Sequence, residues 1–315
     1  MAEVTGMDTA ATAALGERLE ALERRLAGHG DPRFGEAPSA DARLGVVALP
    51  LDGGSDADGA PVARRAYEAF TAASTIKVYV LQALLEAVAA GDHDLGDAVE
   101  LRADDQVTGS GVLKVLSPGT SYPLLDVATL MIVVSDNTAT NLLIDLLGVE
   151  RIRQVVADHG WSGTHVRGKL QVASVVGDQK PTPSRTTPRD LADYFTRLWR
   201  GELLPEDLTA LAMRIYARQQ FTELGRAIGY DQYSAEVGDS SVVIASKSGS
   251  VRGVRNDAGV IALGEPGGER REVAVAVMTE GSPDRRFHPE NLGAKVVGEA
   301  VAAVLDVLAP GAAGD

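Results

Sequence analysis

The chain has 315 residues, 45% of them hydrophobic, and a formal net charge of −14. That length and apolar content suffice for one large domain or two intimate ones, while an acidic balance without any cationic run excludes a phosphate-binding face and hence a nucleic-acid partner. Cysteine is absent, which excludes a disulfide framework, a thiolate nucleophile and a sulfur metal site.

The first cation is Arg18 and no unbroken apolar stretch follows it, so the chain carries no secretory signature and is expected to be cytoplasmic. No apolar run approaches the roughly 18–20 residues that span a bilayer, so no membrane association is expected. Leu15, Leu19, Leu22 and Leu26 recur at helical spacing and predict an amphipathic helix ended by Gly28 and Gly30. Residues 44–51 and 63–70 read as a strand hairpin around the Gly/Asp-rich turn 52–61. Residues 74–91 and 124–134 then read as helices, and 137–147 as a third, stopped by Gly148. Between 160 and 186 there is no clean period, a length that marks functional or mobile loops. Thr187, Pro188 and Asp190 supply an N-cap, an N1 proline and an acidic third position for a helix running to Gly201.

The β pattern returns at 241–247, 256–263 and 272–279 as an antiparallel meander, and 296–308 closes the chain as a helix. The fold class implied is α+β. Residues 1–72 and 205–315 supply a sheet with helices on it, residues 73–204 form an all-helical insertion, and the active site lies between them.

Three strings stand out: Ser74-Thr75-Ile76-Lys77, Ser135-Asp136-Asn137 and Lys247-Ser248-Gly249. Ser74 sits at the first turn of an apolar helix, where N–H groups and the dipole favour developing negative charge. Lys77 is three residues on, the same helix face, so its amine is placed to reach the Ser74 hydroxyl and act as its base. Only six of the cations are lysine, and a proton-accepting cation must be lysine because guanidinium stays protonated. Ser135 is suited to relaying a proton to a leaving nitrogen, Asn137 to holding a carbonyl or the Lys77 head group, and Asp136 to bracing the junction. Lys247 ends a predicted strand beside the cleft. Ser248 and Arg255 would hold a substrate carboxylate, Gly249 would let the substrate approach the strand, and the Ser74 and Ser250 N–H groups would form an oxyanion hole.

These motifs, with Phe70 to Lys77, SDNTATNLL at 135–143, TTPRDL at 186–191 and KSGSVRGVRNDAGVI at 247–261, resemble class A β-lactamases and related penicillin-recognising enzymes. The resemblance runs from about residue 40 to the C-terminus. It implies an antiparallel sheet with flanking helices plus an all-helical domain, and a Ser74 acyl-enzyme formed from a small substrate with a carboxylate and an amide, lactam or ester. D-Ala-D-Ala peptidase, esterase, transacylase or slow-releasing β-lactam-binding activities stay open beside β-lactam hydrolysis. In class A enzymes a loop Glu activates the deacylating water, but no Glu occurs here between Glu150 and Glu202. An ungapped count from Thr187 puts Gln171 at that position, and Asp178 is the only loop carboxylate. The stretch GSGVL at 109–113 also lacks the aromatic wall common in class A.

The five histidines show no H-E-x-x-H pairing, and no G-x-S-x-G elbow, P-loop or dinucleotide motif occurs, so no metal or cofactor is expected. A monomer is expected.

Overall fold

A computed structural model describes residues 9–34, 38–51, 62–170, 183–236 and 238–310. Helix α1 (Thr9–Leu26) precedes β1 (Arg43–Pro50), whose partner β2 spans only Val62–Arg64. The hairpin strand predicted at 63–70 is thus cut short. Arg65 turns the chain at φ 48°, held by ion pairs to Glu23 and Glu68, and Phe70–Thr71 departs as β3. The turn predicted at 52–61 lies outside the described residues.

A 3-10 turn, Ala73–Ile76, leads into α2 (Lys77–Ala89). Strands β4 (Ala98–Glu100) and β5 (Ser121–Pro123) pair with each other, and α3 (Leu124–Val133), α4 (Asn137–Leu147) and α5 (Val149–Asp158) follow. Sequence reading took Gly148 as a stop only, whereas at φ 77° it both ends α4 and opens α5. Strand β6 (Arg185–Thr186) pairs with β3. Helix α6 (Pro188–Trp199) starts at the predicted cap, Thr187 Oγ1 accepting from the Asp190 N–H. Helices α7 (Glu206–Tyr216) and α8 (Gln232–Glu236) then lead to β7 (Val242–Val251), β8 (Val254–Leu263), β9 (Arg271–Glu280) and α9 (Leu292–Leu308).

The main sheet has the order β2-β1-β9-β8-β7, antiparallel throughout, so the first strand of the chain pairs with the last. Both faces are covered. Val273, Val275 and Val277 of β9 pack with α1 and α9, while Ala274, Ala276 and Met278 join the core shared with the helical region. The period of two therefore sorts one strand between two apolar cores, which explains near-continuous hydrophobic runs in place of alternation. Gly45 is required on the second face, because a Cβ there would lie 2.8 Å from Phe70 and from Pro188 of α6.

Helix α2 is the pivot of the helical region. Every residue from Lys77 to Leu85 is buried, and it packs against α3, α4, α5 and α7. A lysine at the head of an all-round apolar helix carries a desolvation cost that calls for explanation. No described helix is long and apolar enough to cross a membrane.

Candidate active site

Ser74 lies on the 3-10 turn, and the turn is clamped from three sides. Ala72 N–H donates to the Ser184 carbonyl at 2.9 Å, and Asn256 Nδ2 of β8 donates to the carbonyls of Thr71 and Ala72 at 2.8 and 3.2 Å. Gly249 of β7 presses on it so closely that a Cβ would stand 2.8–2.9 Å from Thr75 N, Ser74 N and the Ala72 oxygen. The close approach that Gly249 permits is thus one of the protein's own backbone, not only of a substrate. Ala73, just before the serine, is held at φ 49°, a left-handed conformation costing about 1–2 kcal/mol that persists only where the surroundings impose it.

In a 3-10 turn residues i and i+3 eclipse, which stacks Ser74 over Lys77. The ammonium, however, is turned toward the α3–α4 junction. Lys77 Nζ donates to the Ser135 carbonyl at 2.7 Å, to Ser135 Oγ at 3.0 Å and to Asn137 Oδ1 at 3.0 Å. No hydrogen bond joins it to Ser74 Oγ, which is half-buried and without a partner among the described residues. Lys247 Nζ reaches the same Ser135 Oγ at 3.2 Å and the Ser248 carbonyl at 2.7 Å. Ser135 is the hub between two fully buried lysines, and its φ of 54° aims its carbonyl at Lys77.

Burial holds the Lys77 pKa well below its ordinary value, and the Lys247 charge lowers it further against a smaller opposing pull from Asp136. Lys247 is lowered by burial to about 7, with Asp257 opposing. Asp136 braces the junction. Its Oδ1 caps the Ala139 N–H at 2.9 Å and its Oδ2 accepts from Val112 and Leu113 N–H at 2.6 and 2.9 Å. The GSGVL stretch wraps this carboxylate, and a Cβ on Gly111 would fall 2.2 Å from the Asp136 carboxyl carbon. Ser110, which sequence reading passed over, donates to the Ser135 carbonyl at 2.6 Å and so shares the acceptor used by Lys77.

Lys247 stands in the middle of β7, not at its end, because the strand continues to Val251. Strand β2 lies at one edge of the sheet and β7 at the other. Val251 and Val254 pair across a two-residue turn, so by antiparallel alternation the backbone groups of Ser250 and Ser248 point off that edge. The Ser248 carbonyl taken by Lys247 fits this alternation. Ser250 follows Gly249, whose Cβ would stand 2.9 Å from Ser74 N, so its outward N–H leaves the strand at the residue next to the one that presses on the serine turn. Arg255 lies opposite Ser250 in register but is not drawn into the lysine cluster. Its guanidinium donates to the carbonyls of Val251, Val254 and Arg286 and stacks 4.9 Å from the Phe287 ring centre, which pins it at the hairpin end.

One turn beyond Asn137 on α4, buried Asn141 grips the backbone of Leu170 at both ends: Nδ2 donates to its carbonyl at 2.9 Å and Oδ1 accepts its N–H at 2.7 Å. Gln171 and Asp178 lie outside the described residues. Among the described residues no group of His, Cys, Asp or Glu is gathered as a metal site. Trp161 is buried, with Nε1 donating to Asp193 at 2.8 Å.

Residues 36–308 match the profile of the Beta-lactamase enzyme family. A β-lactamase of Amycolatopsis lactamdurans is 32% identical over 84% of this chain and 81% of its own. The solved β-lactamase of Sphaerobacter thermophilus superposes with a TM-score of 0.74 at 28% identity, covering 95% of this chain and 97% of its own. A PBP-A variant carrying a leucine-to-glutamate substitution, solved as an acyl-enzyme complex with penicillin G, gives a TM-score of 0.70 at 26% identity over 93% of this chain and 97% of its own.

Proposed function

The chain belongs to the beta-lactamase enzyme family, and we propose that it hydrolyses the amide bond of β-lactam-like substrates through an ester on Ser74. The observation that carries this reading is the Ser135 hydroxyl held between two buried lysines beneath an unengaged serine. The uncharged Lys77 amine takes the Ser74 proton as the serine oxygen attacks the substrate carbonyl. The Ser74 and Ser250 N–H groups receive the oxyanion. As the C–N bond breaks, the nitrogen takes the Ser135 hydroxyl proton, and Lys77 returns a proton to Ser135, leaving an ester and a neutral base. Lys247 and Ser248 receive the substrate carboxylate. Water then cleaves the ester, restoring Ser74.

The second step is where this chain departs from the class A pattern it resembles. Asn141 sets the backbone of Leu170, not a carboxylate, beside the Asn137–Lys77 contact. We read Leu170, in preference to Gln171, as the position from which a general base would act on the ester, so deacylation is the slow half of the cycle. Intact mass measured during turnover of a chromogenic cephalosporin tests both halves. An adduct of one opened substrate, absent in Ser74→Ala, is expected to accumulate while absorbance changes slowly. Leu170→Glu is expected to shorten its lifetime by about 10²-fold, with Gln171→Glu much less effective. Absence of any adduct and of turnover would remove the reading.

A further inference from the structure

Ser135 presents two oxygens to Lys77, and the backbone one has a second donor. Ser110 Oγ donates to the Ser135 carbonyl at 2.6 Å, beside Lys77 Nζ at 2.7 Å. Bracing the α3–α4 junction does not account for this bond, because residues 108–113 are tied to the junction by four others. Asn137 N–H donates to the Ser110 carbonyl at 3.1 Å and Asn137 Nδ2 to the Thr108 carbonyl at 3.2 Å, while Val112 and Leu113 N–H donate to Asp136. Satisfying a buried hydroxyl does not account for it either, because Ser110 is exposed and water would serve it equally well.

The hydroxyl changes the acceptor. A carbonyl oxygen has two lone pairs, and here one goes to Ser110 and the other to Lys77. Each donor draws electron density from the oxygen and so weakens its pull on the other. The loss falls harder on an ammonium, whose hydrogen bond is charge-assisted, than on a neutral amine. An acceptor that binds the ammonium less firmly leaves more of the lysine as amine.

We propose that Ser110 is a positioning residue of the acyl-transfer site, its hydroxyl competing with the Lys77 ammonium for the Ser135 carbonyl so that the lysine stands ready as a base. This rests on the acyl-transfer reading. The charges facing Lys77 are Lys247 on β7 and Asp136 at the junction. Lys114, on the 3-10 turn Leu113–Val115, gives its ammonium to the Gly109 carbonyl, next to Ser110. Ser110 carries no charge, so replacing it leaves all three in place and changes the carbonyl alone.

The test compares Ser110→Val with Ser110→Thr, side chains of one shape of which only threonine keeps the hydroxyl. The second valine methyl fills the space that a substituting water would need. Acylation of Ser74 by a penicillin is followed by intact mass across the pH range. On the acid limb the rate follows the fraction of Lys77 present as amine. Freed of its competitor, the carbonyl binds the ammonium more firmly, so the limb of the valine variant is expected to lie about half a unit higher in pH. Below the limb acylation is then about threefold slower than in the threonine variant, and above it the two are equal. A uniform loss at every pH would make Ser110 a brace only and overturn the proposal, as would an unmoved limb. If either variant does not fold, Ser110→Ala against wild type is read by the same criterion. If wild type is not acylated at all, the acyl-transfer reading fails separately. The Lys77 titration, read by NMR of labelled lysine side chains, then decides: a higher midpoint in the valine variant is expected, and equal midpoints refute the competition.

Discussion

Two of the three partners of Lys77, the Ser135 carbonyl and Asn137 Oδ1, only accept hydrogen bonds. An ammonium is served by these two and the Ser135 hydroxyl, and a neutral amine can give its two N–H groups to the carbonyls and take the hydroxyl proton on its lone pair, so the pocket accommodates the basic form that burial favours. Guanidinium has no such lone pair at accessible pH. Lys77→Arg is therefore expected to lower the acylation rate by about 10²–10⁴-fold, measured by adduct mass, with far-UV circular dichroism reporting the fold. Wild-type acylation would show that Lys77 is not the base. The residues proposed for the chemistry stood out in the sequence because so few residue types can do it: one hydroxyl, one deprotonatable cation, one relay. The residues that place them were not. Asn256 reaches a carbonyl 185 positions away and Asn141 one 29 away, and an asparagine's spacing says nothing of which distant backbone it will meet.

At the scale of elements, the free edge of β7 and the 3-10 turn form one unit. The atoms that a Cβ on Gly249 would meet belong to backbone, at 2.8–2.9 Å, and backbone held by Asn256 and Ser184 cannot step aside as a flexible side chain does. Gly249→Ala is expected to destabilise the fold by about 1–3 kcal/mol and to slow acylation more than that loss explains, because the turn moves with the serine on it. A thermal melt beside acylation kinetics separates the two, and a variant with a lowered melting point but wild-type acylation would count against the coupling. The sheet and its meander follow from apolar runs and Gly-rich turns, and the α+β class was readable from them. Where Lys247 and Arg255 sit was not. The extension of β7 past Lys247 depends on pairing with β8, and the pinning of Arg255 depends on the carbonyls at Val251, Val254 and Arg286, neither of which is local information.

For the whole molecule the buried lysines impose an unusual pH dependence. Lys77 and Lys247 have folded pKa values below their unfolded ones, Lys247 at about 7 against 10.5. Between those limits the unfolded chain binds more protons than the folded one, so stability rises with pH. Below about 7 the cost of burying Lys247 as an ammonium is borne in full. The buried tyrosines Tyr79, Tyr194 and Tyr216 act in the opposite sense. Burial raises their pKa values above the ordinary 10, so in alkali the unfolded chain loses protons that the folded chain keeps, and stability falls again. The melting temperature is therefore expected to climb from neutral pH to a maximum near pH 9–10 before dropping. Lys247→Met, which keeps the volume and removes the titrating group, is expected to melt higher than wild type at pH 7 and to show a shallower climb, measured by calorimetry at constant ionic strength. An identical slope in the variant would mean that Lys247 is as easily charged in the folded state as in the unfolded one. Its hydrogen bonds to Ser135 and Ser248 would then be ordinary ion solvation, and the stability given up to hold a cation beside the nucleophile would have to lie with Lys77 alone.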